Sequence, residues 1–169
     1  DASSEVPQHR ERCYMVCFRK KLKIIFKFPE FSNKKKILKA ILEEDVPKQY
    51  TISSRLWKGH VNRSARNVAR GTGFTAYTVD LEKPVNTLVA RYGKDGKECL
   101  IPQHGKNPRM LTPRECARLQ GFPEKFILPE ARTPAYQQFG NSVVIPVIRK
   151  IAYEIVKQLN EKKIIKTNI

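Results

Sequence analysis

The feature that most constrains the fold is a helix start at residues 112–115, which read Thr-Pro-Arg-Glu. This order is typical of a capping box, in which the Thr hydroxyl accepts from the third helical amide and the Glu carboxylate returns to the amide of the cap. Proline is favoured at the first helical position because no amide donor is needed there. Gly121 and Pro123 predict the end of the helix. The sequence therefore predicts a short capped helix with one apolar side.

A longer helix is predicted after the turn Gly140-Asn141-Ser142. Apolar residues recur at positions 143, 144, 147, 148, 151, 152, 155, 156 and 159, which is helical spacing. Pro146 lies in the first turn, where its missing donor costs little. Before the turn, Thr133 and Pro134 suggest the N-cap and first position of another helix. The long apolar side must pack on a large surface.

Three motifs carry a resemblance to a known family. Residues 109–123, RMLTPRECARLQGFP, and residues 136–152, YQQFGNSVVIPVIRKIA, resemble the last two conserved motifs of the DNA (cytosine-5)-methyltransferases of bacterial restriction-modification systems. Residues 7–12, PQHRER, are similar to the PQxRxR motif of the same enzymes. The resemblance covers essentially the whole chain, as the C-terminal part of such an enzyme.

The resemblance implies an α+β fold, with a target recognition domain plus a strand and a C-terminal helix that complete an α/β, Rossmann-like methyltransferase domain. Residues 1–30 would form an edge of the catalytic domain with the arginine motif. Residues 31–132 would form the small, target recognition domain. Residues 133–169 would return to the catalytic domain.

The arginine motif leads into an apolar segment, residues 14–18, that we expect to be a strand buried on both sides. Arg10 and Arg12 would share one face of the extended chain. They could be ordinary surface arginines. The resemblance instead implies that Gln8, Arg10 and Arg12 lie beside a flipped cytosine and its phosphates, with Arg10 and Arg12 as catalytic residues.

The formal charge of +17 and the pI near 10.0 point to a polyanionic partner. Double-stranded DNA is the first candidate. An acidic membrane surface is the second, but the sequence has no apolar run long enough to span a membrane. A signal peptide is not evident at residues 1–12, so a cytoplasmic location is expected.

A basic helix is predicted in the middle of the chain. Ser53 or Ser54 can cap it, and its apolar side would be formed by Leu56, Trp57, Val61 and Val68. The other side carries Arg63, Arg66 and Arg70, together with Lys58 and His60. This is either a solvated face or a DNA-facing element that attracts phosphates without regard to sequence. The string ARGTGF, residues 69–74, is similar to enzymes that read short palindromes beginning CC and ending GG.

Residues 84–102 predict a hairpin, with one strand from Thr87 to Tyr92, a turn at Asp95-Gly96 and a return strand from Glu98 to Ile101. By the resemblance, Thr87 touches the backbone near the flipped base. Arg91 could contact a phosphate or a guanine. An exposed arginine on a structural hairpin is an equal alternative.

The resemblance places the Gly-Asn-Ser turn at the pocket for S-adenosyl-L-methionine, so Asn141 and Ser142 are the candidate cofactor contacts. Helix capping is the alternative role for both. The four cysteines show no C-x-x-C pair and no His at zinc-ligand spacing, so no metal site is expected.

The chemistry of cytosine C5 methylation requires a nucleophile, a carboxylic acid and a bound methyl donor. In the family these come from a Pro-Cys loop, a Glu-Asn-Val strand end and a Gly-rich turn, and the sequence contains none of them. We therefore expect an N-terminal catalytic half or partner subunit. The chain could be an excised domain, a natural small subunit or a truncated frame.

Two other functions compete with this interpretation. One is a stand-alone, sequence-specific DNA-binding protein without catalysis. The other is a basic RNA-binding protein, which would leave the two C-terminal motifs unexplained.

Overall fold

The computed structural model describes residues 1–71, 76–95 and 98–162, and within these ranges the chain is an α+β structure. The helices are α1 (Ser54–Ala69), α2 (Tyr92–Asp95), α3 (Pro113–Leu119), α4 (Arg132–Asn141) and α5 (Ile145–Glu161). The strands are β1 (Ile101–Gln103) and β2 (Lys106–Arg109), and short 3-10 turns occur at Lys20–Leu22, Leu38–Ile41 and Lys48–Tyr50. In the described ranges, no helix combines the length and apolar character that a membrane crossing requires.

The strands β1 and β2 form an antiparallel pair, with Ile101 opposite Arg109 and Gln103 opposite Lys106. The connection between them turns at Gly105, whose φ of +64° is easily adopted only by glycine. A single bridge from Thr51 to Arg109 continues the pairing on the other side of β2. The sheet thus stays small, and most of the core is built from helices and irregular segments.

The main core is centred on two buried tyrosines, Tyr92 of α2 and Tyr136 of α4, whose rings meet edge to face at 5.2 Å. Both hydroxyls bind the backbone of Leu111, which precedes α3. The Leu111 amide donates to the Tyr92 oxygen at 2.8 Å, and the Tyr136 hydroxyl donates to the Leu111 carbonyl at 2.6 Å. The two aromatic side chains therefore fix the position at which α3 begins.

A second, smaller core joins the N-terminal residues to α5. Its buried members are Ala2, Val6, Val144, Val147 and Ile151, and partly buried residues pack against them from Tyr14, Val16, Phe26 and Ile155. An ion pair between Lys150 and Glu5, 2.6 Å apart, ties α5 to the first turn of the chain. The long apolar side predicted for α5 thus has its packing surface at the N-terminal segment.

The capping box predicted at α3 is confirmed. The Thr112 hydroxyl accepts from the Glu115 amide at 3.1 Å, and the Thr112 amide donates to the Glu115 carboxylate at 2.8 Å. Pro113 occupies the first helical position, and Gly121 follows the helix with a φ of +77°. Because this signal lies within a few consecutive residues, it did not depend on any distant contact.

Two predicted strands are not formed by the described residues. Residues 14–18 form no strand, because the described residues offer their backbone no partner, and Met15 is 87% exposed. Only one side of this segment is covered. Residues 87–92 do not form a hairpin strand, since Gln8 and Arg10 take the backbone groups of Leu88. The turn predicted at Asp95-Gly96 extends beyond the described residues.

The remaining differences concern helix ends and faces. Helix α4 begins at Arg132 with Ala131 as its cap, two positions before the predicted start. Helix α1 is capped by Ser53, which was one of the two predicted alternatives. Its inward side is formed by Trp57, His60, Ser64 and Asn67. Of the four apolar residues expected on the buried side, Trp57 lies inward, whereas Leu56, Val61 and Val68 are exposed, Val68 by 71%. Because the side of α1 that faces the protein is largely polar, the spacing of its apolar residues predicted the wrong buried side.

Candidate nucleic-acid interface

The candidate site is built where residues 7–12 run beside residues 85–90. The two segments form a parallel bridge, in which the Val85 amide donates to the Pro7 carbonyl at 3.0 Å and the His9 amide donates to the Val85 carbonyl at 2.7 Å. The Thr87 hydroxyl adds a bond of 2.6 Å to the His9 carbonyl. The arginine motif is thereby fixed to the segment that contains Thr87.

Gln8 is fully buried, with 0% of its surface exposed. Its amide oxygen accepts from the Leu88 amide at 2.6 Å, and its amide nitrogen donates to the Leu119 carbonyl at 3.3 Å. The expectation that this side chain contacts DNA does not agree with its position. Gln8 instead connects residue 88 with the end of α3, because a buried amide needs partners on both ends.

Arg10 is also buried, at 3% exposure. Its guanidinium donates to three backbone carbonyls, those of Leu88 at 2.9 Å, Gly140 at 2.9 Å and Ser142 at 2.8 Å. Burial lowers the pKa of Arg10, and the nearby positive charge of Arg12 lowers it further. The side chain expected beside a flipped base is therefore turned inward, toward the turn between α4 and α5.

Arg12 points to the surface and lines an open cavity of about 470 Å³ together with Thr87. The Arg12 guanidinium donates to the Glu11 carbonyl at 2.7 Å. The other lining residues are His9, Glu11, Tyr77, Asn86, Val89 and Glu98. Burial raises the pKa of Tyr77 above its ordinary value. The cavity offers a guanidinium, two hydroxyls, one carboxamide, an imidazole and two carboxylates, which can donate to and accept from a polar planar group.

The other predicted DNA contacts lie on the surface. Arg63, Arg66 and Arg70 are exposed and share one flank of α1, as their spacing of three and four residues requires. The opposite, inward side of α1 is anchored where the Ser64 hydroxyl accepts from the Ala76 amide at 2.9 Å. Arg91, just before α2, is exposed as well.

The candidate cofactor residues lie in the turn that leaves α4. Asn141 is the last residue of α4 and is exposed, and among the described residues its carboxamide makes no hydrogen bond. The Ser142 hydroxyl donates to the Phe139 carbonyl at 3.0 Å, and its oxygen can still accept. These groups can donate hydrogen bonds to, and accept them from, a polar ligand at the surface.

One feature of the site was missed from the sequence. Gly140 is buried, and a Cβ atom placed there would lie 2.4 Å from the Ala90 amide nitrogen. The backbones of the end of α4 and of residues 89–90 are therefore in direct contact, and only glycine permits this approach. The sequence predicted a turn at Gly140, whereas in the structure it lies in the last turn of α4, and a glycine by itself does not identify the distant segment that it touches.

The buried thiols are not suited to nucleophilic chemistry. Burial raises the pKa of Cys99 to about 12 and the pKa of Cys116 well above its ordinary value. Since the thiolate is the reactive form, both remain inert at neutral pH. Cys13 and Cys17 are exposed. In the part of the chain that the structure covers, His, Cys, Asp and Glu side chains form no group of metal-ligating geometry.

Comparison with known proteins agrees with the sequence motifs. A family model for C-5 cytosine-specific DNA methylases matches residues 2–157. The chain is 49% identical over 160 residues to the type II methyltransferase M.SsoII of Shigella sonnei, covering 92% of this chain and 42% of that protein. It is 48% identical over 163 residues to M1.ScrFI of Lactococcus lactis subsp. cremoris, covering 94% of this chain and 42% of the relative.

Solved structures show the same fold at low sequence identity. The Entamoeba histolytica methyltransferase EhMeth matches with a TM-score of 0.59 and 22% identity, covering 79% of this chain and 44% of that one. The S. pombe Dnmt2 methyltransferase matches with a TM-score of 0.58 and 18% identity, covering 76% of this chain and 44% of that one. The chain therefore spans less than half the length of each of these four proteins.

Proposed function

Because the chain belongs to the C-5 cytosine-specific DNA methylases, we propose that it is the target-recognition and C-terminal part of a DNA cytosine-5 methyltransferase. Its relatives are type II methyltransferases, of which it spans about 42%. Residues 31–132 would be the recognition domain, and residues 1–30 and 133–169 would belong to the catalytic domain. The whole enzyme would transfer a methyl group to cytosine C5 within a short duplex site.

The observation that carries this proposal is the open cavity where Arg12 and Thr87 meet. A volume of about 470 Å³ accommodates a single base that has rotated out of the duplex. The Arg12 guanidinium would bind the carbonyl oxygen of cytosine or the adjacent phosphate, because its donors are fixed in a planar fork. Thr87 would hold the sugar-phosphate backbone beside it. Arg12 would thus be the residue of the arginine motif that touches the substrate.

Attraction to the duplex would come from the exposed flank of α1. Arg63, Arg66 and Arg70 place three cations along one side of the helix, and Arg91 adds a fourth exposed cation just before α2. Such side chains attract phosphates without reading the sequence, and they orient the protein on DNA. The net charge of +17 would add a general attraction between the protein and DNA.

S-adenosylmethionine would supply an electrophilic methyl group at the edge formed by the α4–α5 turn. The Asn141 carboxamide and the Ser142 hydroxyl would hydrogen-bond the polar groups of this molecule and hold it in place. The turn itself is positioned from behind by the Arg10 guanidinium, which binds the carbonyls on both sides of Asn141. Both binding groups are thereby supported by a buried arginine.

The nucleophile and the carboxylic acid would come from an N-terminal half or partner subunit. The surface expected to receive it is the uncovered side of the extended N-terminal segment, where Met15 is 87% and Ile25 90% exposed. The opposite side of this segment already packs on α5 through Tyr14 and Val16. Pairing of residues 14–18 with strands of the partner would complete a Rossmann-like sheet.

The test is methyl transfer from labelled S-adenosylmethionine to duplex DNA, by the chain alone and by the chain mixed with its N-terminal half. We expect transfer only in the mixture. Arg12→Ala should abolish most of this transfer, whereas Arg19→Ala, an exposed arginine on the same segment that does not line the cavity, should leave it near the parental rate.

The competing function is DNA binding without catalysis. A mixture that stays silent, while the chain still selects one duplex sequence over others in salt, would favour that function and reject the methyltransferase proposal.

A further inference from the structure

We propose that Arg10 is a positioning residue that couples methyl-donor binding to DNA binding by joining the Thr87 segment to the α4–α5 turn. This inference rests on the proposed function, since it concerns how the two binding sites act on each other. Arg10 is not expected to touch either ligand, because only 3% of its surface is exposed and its donors are directed at the protein backbone.

The three acceptors of Arg10 lie on two segments that are far apart in the sequence. One terminal nitrogen donates to the Leu88 carbonyl at 2.9 Å, next to Thr87. The other donates to the carbonyls of Gly140 at 2.9 Å and Ser142 at 2.8 Å, on either side of Asn141. Because the guanidinium is a rigid plane, these bonds fix the distance between the two segments.

Direct backbone contact makes the connection stiff. Gly140 packs so closely on residues 89–90 that an added Cβ atom would lie 2.4 Å from both the Val89 carbonyl carbon and the Ala90 amide nitrogen. A shift of the turn toward these residues is therefore blocked, and a shift away would break the bonds from Arg10. Closely packed segments of this kind move together rather than independently.

Each end of this connection carries a proposed ligand contact. Thr87 lines the cavity for the base, and its hydroxyl is held by the His9 carbonyl at 2.6 Å. Asn141 and Ser142 face the donor site. Ordering of one end by its ligand would lower the cost of ordering the other, which is positive coupling between the two sites.

The test uses the enzyme assembled from this chain and its N-terminal half, with S-adenosylhomocysteine as the probe. Its dissociation constant is measured with and without duplex DNA containing a target site. We expect DNA to tighten binding of the probe by at least about fivefold, the lower end of typical coupling. In Arg10→Lys, which keeps the charge but loses the fork, this ratio should fall toward one.

The matched control is Arg118→Lys. Arg118 also donates to a backbone carbonyl in another segment, that of Ile41 at 3.1 Å, but it contacts neither site. Its variant should keep the parental coupling ratio. Gly140→Ala is the second test, because it disturbs the same connection from the other side, and it should reduce the ratio as well. If Arg10→Lys does not fold, the coupling ratio measured for Gly140→Ala decides whether the proposal holds.

A folded Arg10→Lys enzyme with the parental ratio would overturn the proposal, and so would a parental ratio of one. Hydrogen exchange gives a separate measurement of the coupling between the two sites. Binding of S-adenosylhomocysteine should slow amide exchange in residues 87–90 of the parental enzyme, and not in Arg10→Lys. An assembled enzyme that neither binds the probe nor methylates DNA would instead reject the proposed function.

Discussion

Arg109 and Glu115 form a two-point ion pair in the interior, with both nitrogen-to-oxygen distances at 2.8 Å. The Glu115 carboxylate also accepts from the amides of Glu43 at 2.9 Å and Thr112 at 2.8 Å. The carboxylate that completes the capping box of α3 therefore also neutralises a buried arginine at the end of β2. Helix and sheet are joined by a single side chain.

Glu115→Gln should destabilise the fold by about 3–5 kcal/mol, because the substitution leaves the buried Arg109 charge without its partner. The free energy of unfolding in urea measures this effect. The control is Glu124→Gln. Glu124 pairs with Arg118 near the surface, and loss of this ion pair should cost below about 1 kcal/mol. Equal losses in the two variants would show that the interior pair is no stronger than a surface pair.

Gly121→Ala should destabilise the fold more than Gly105→Ala. Both glycines have similar backbone angles, with φ of +77° and +64°, so an alanine costs about 1–2 kcal/mol at either position. At Gly121 the added Cβ atom would also lie 2.4 Å from Pro146 of α5, which adds about 1–3 kcal/mol. At Gly105 it meets open space. Thermal unfolding of the two variants compares the costs, and equal melting temperatures would contradict the predicted close approach.

Stability should fall in the alkaline range because of the buried thiol of Cys99. Its pKa is raised from 9.0 to about 12 by burial. A group whose pKa is higher in the folded state stabilises the fold fully below its unfolded pKa and loses this contribution as pH rises through the folded value. The free energy of unfolding should therefore decrease between about pH 9 and pH 12, and less so in Cys99→Ala. A parallel pH profile for that variant would exclude Cys99 as the cause.

Single alanine substitutions of Arg63, Arg66 and Arg70 should each weaken DNA binding to a similar degree for all sequences. Each lost phosphate contact should reduce the slope of log affinity against log salt by about 0.9. Lys125→Ala, an exposed cation on the loop after α3, is the control and should leave the slope unchanged. Titration of duplex DNA at several salt concentrations measures the slopes. A change in base preference with an unaltered slope would instead indicate that α1 reads bases.

The parts of the fold that could be predicted are those whose signal is local. The capping box of α3 and the long helix α5 depend on neighbouring residues and on helical spacing, and both are present. The strand at residues 14–18 could not be predicted correctly, because its apolar character did not show that only one side packs on the described chain. The hairpin was wrong because side chains from residues 8–10 occupy the backbone of Leu88.

In the candidate site, too, the local signals were predictive and the contacts between distant residues were not. The motifs identified the right segments, and the structure brings Arg12 together with Thr87 in one cavity. They could not distinguish the roles of Gln8, Arg10 and Arg12, which occupy alternate positions of one extended segment. Only Arg12 reaches the surface, because the bonds that bury the other two lead to residues far away in the sequence. The roles of the proposed contacts with DNA and S-adenosylmethionine remain predictions.

The tyrosine hydroxyls at Leu111 give the interior an unusual source of directional bonding. In a larger sheet, a neighbouring strand would satisfy the amide and carbonyl of such a residue, and the sequence of that strand would matter little. Here two side-chain oxygen atoms do so, from Tyr92 and Tyr136. The start of α3 can therefore be displaced by removing one oxygen atom, so that the identity of two aromatic residues, rather than the amount of apolar surface, sets the geometry of this core.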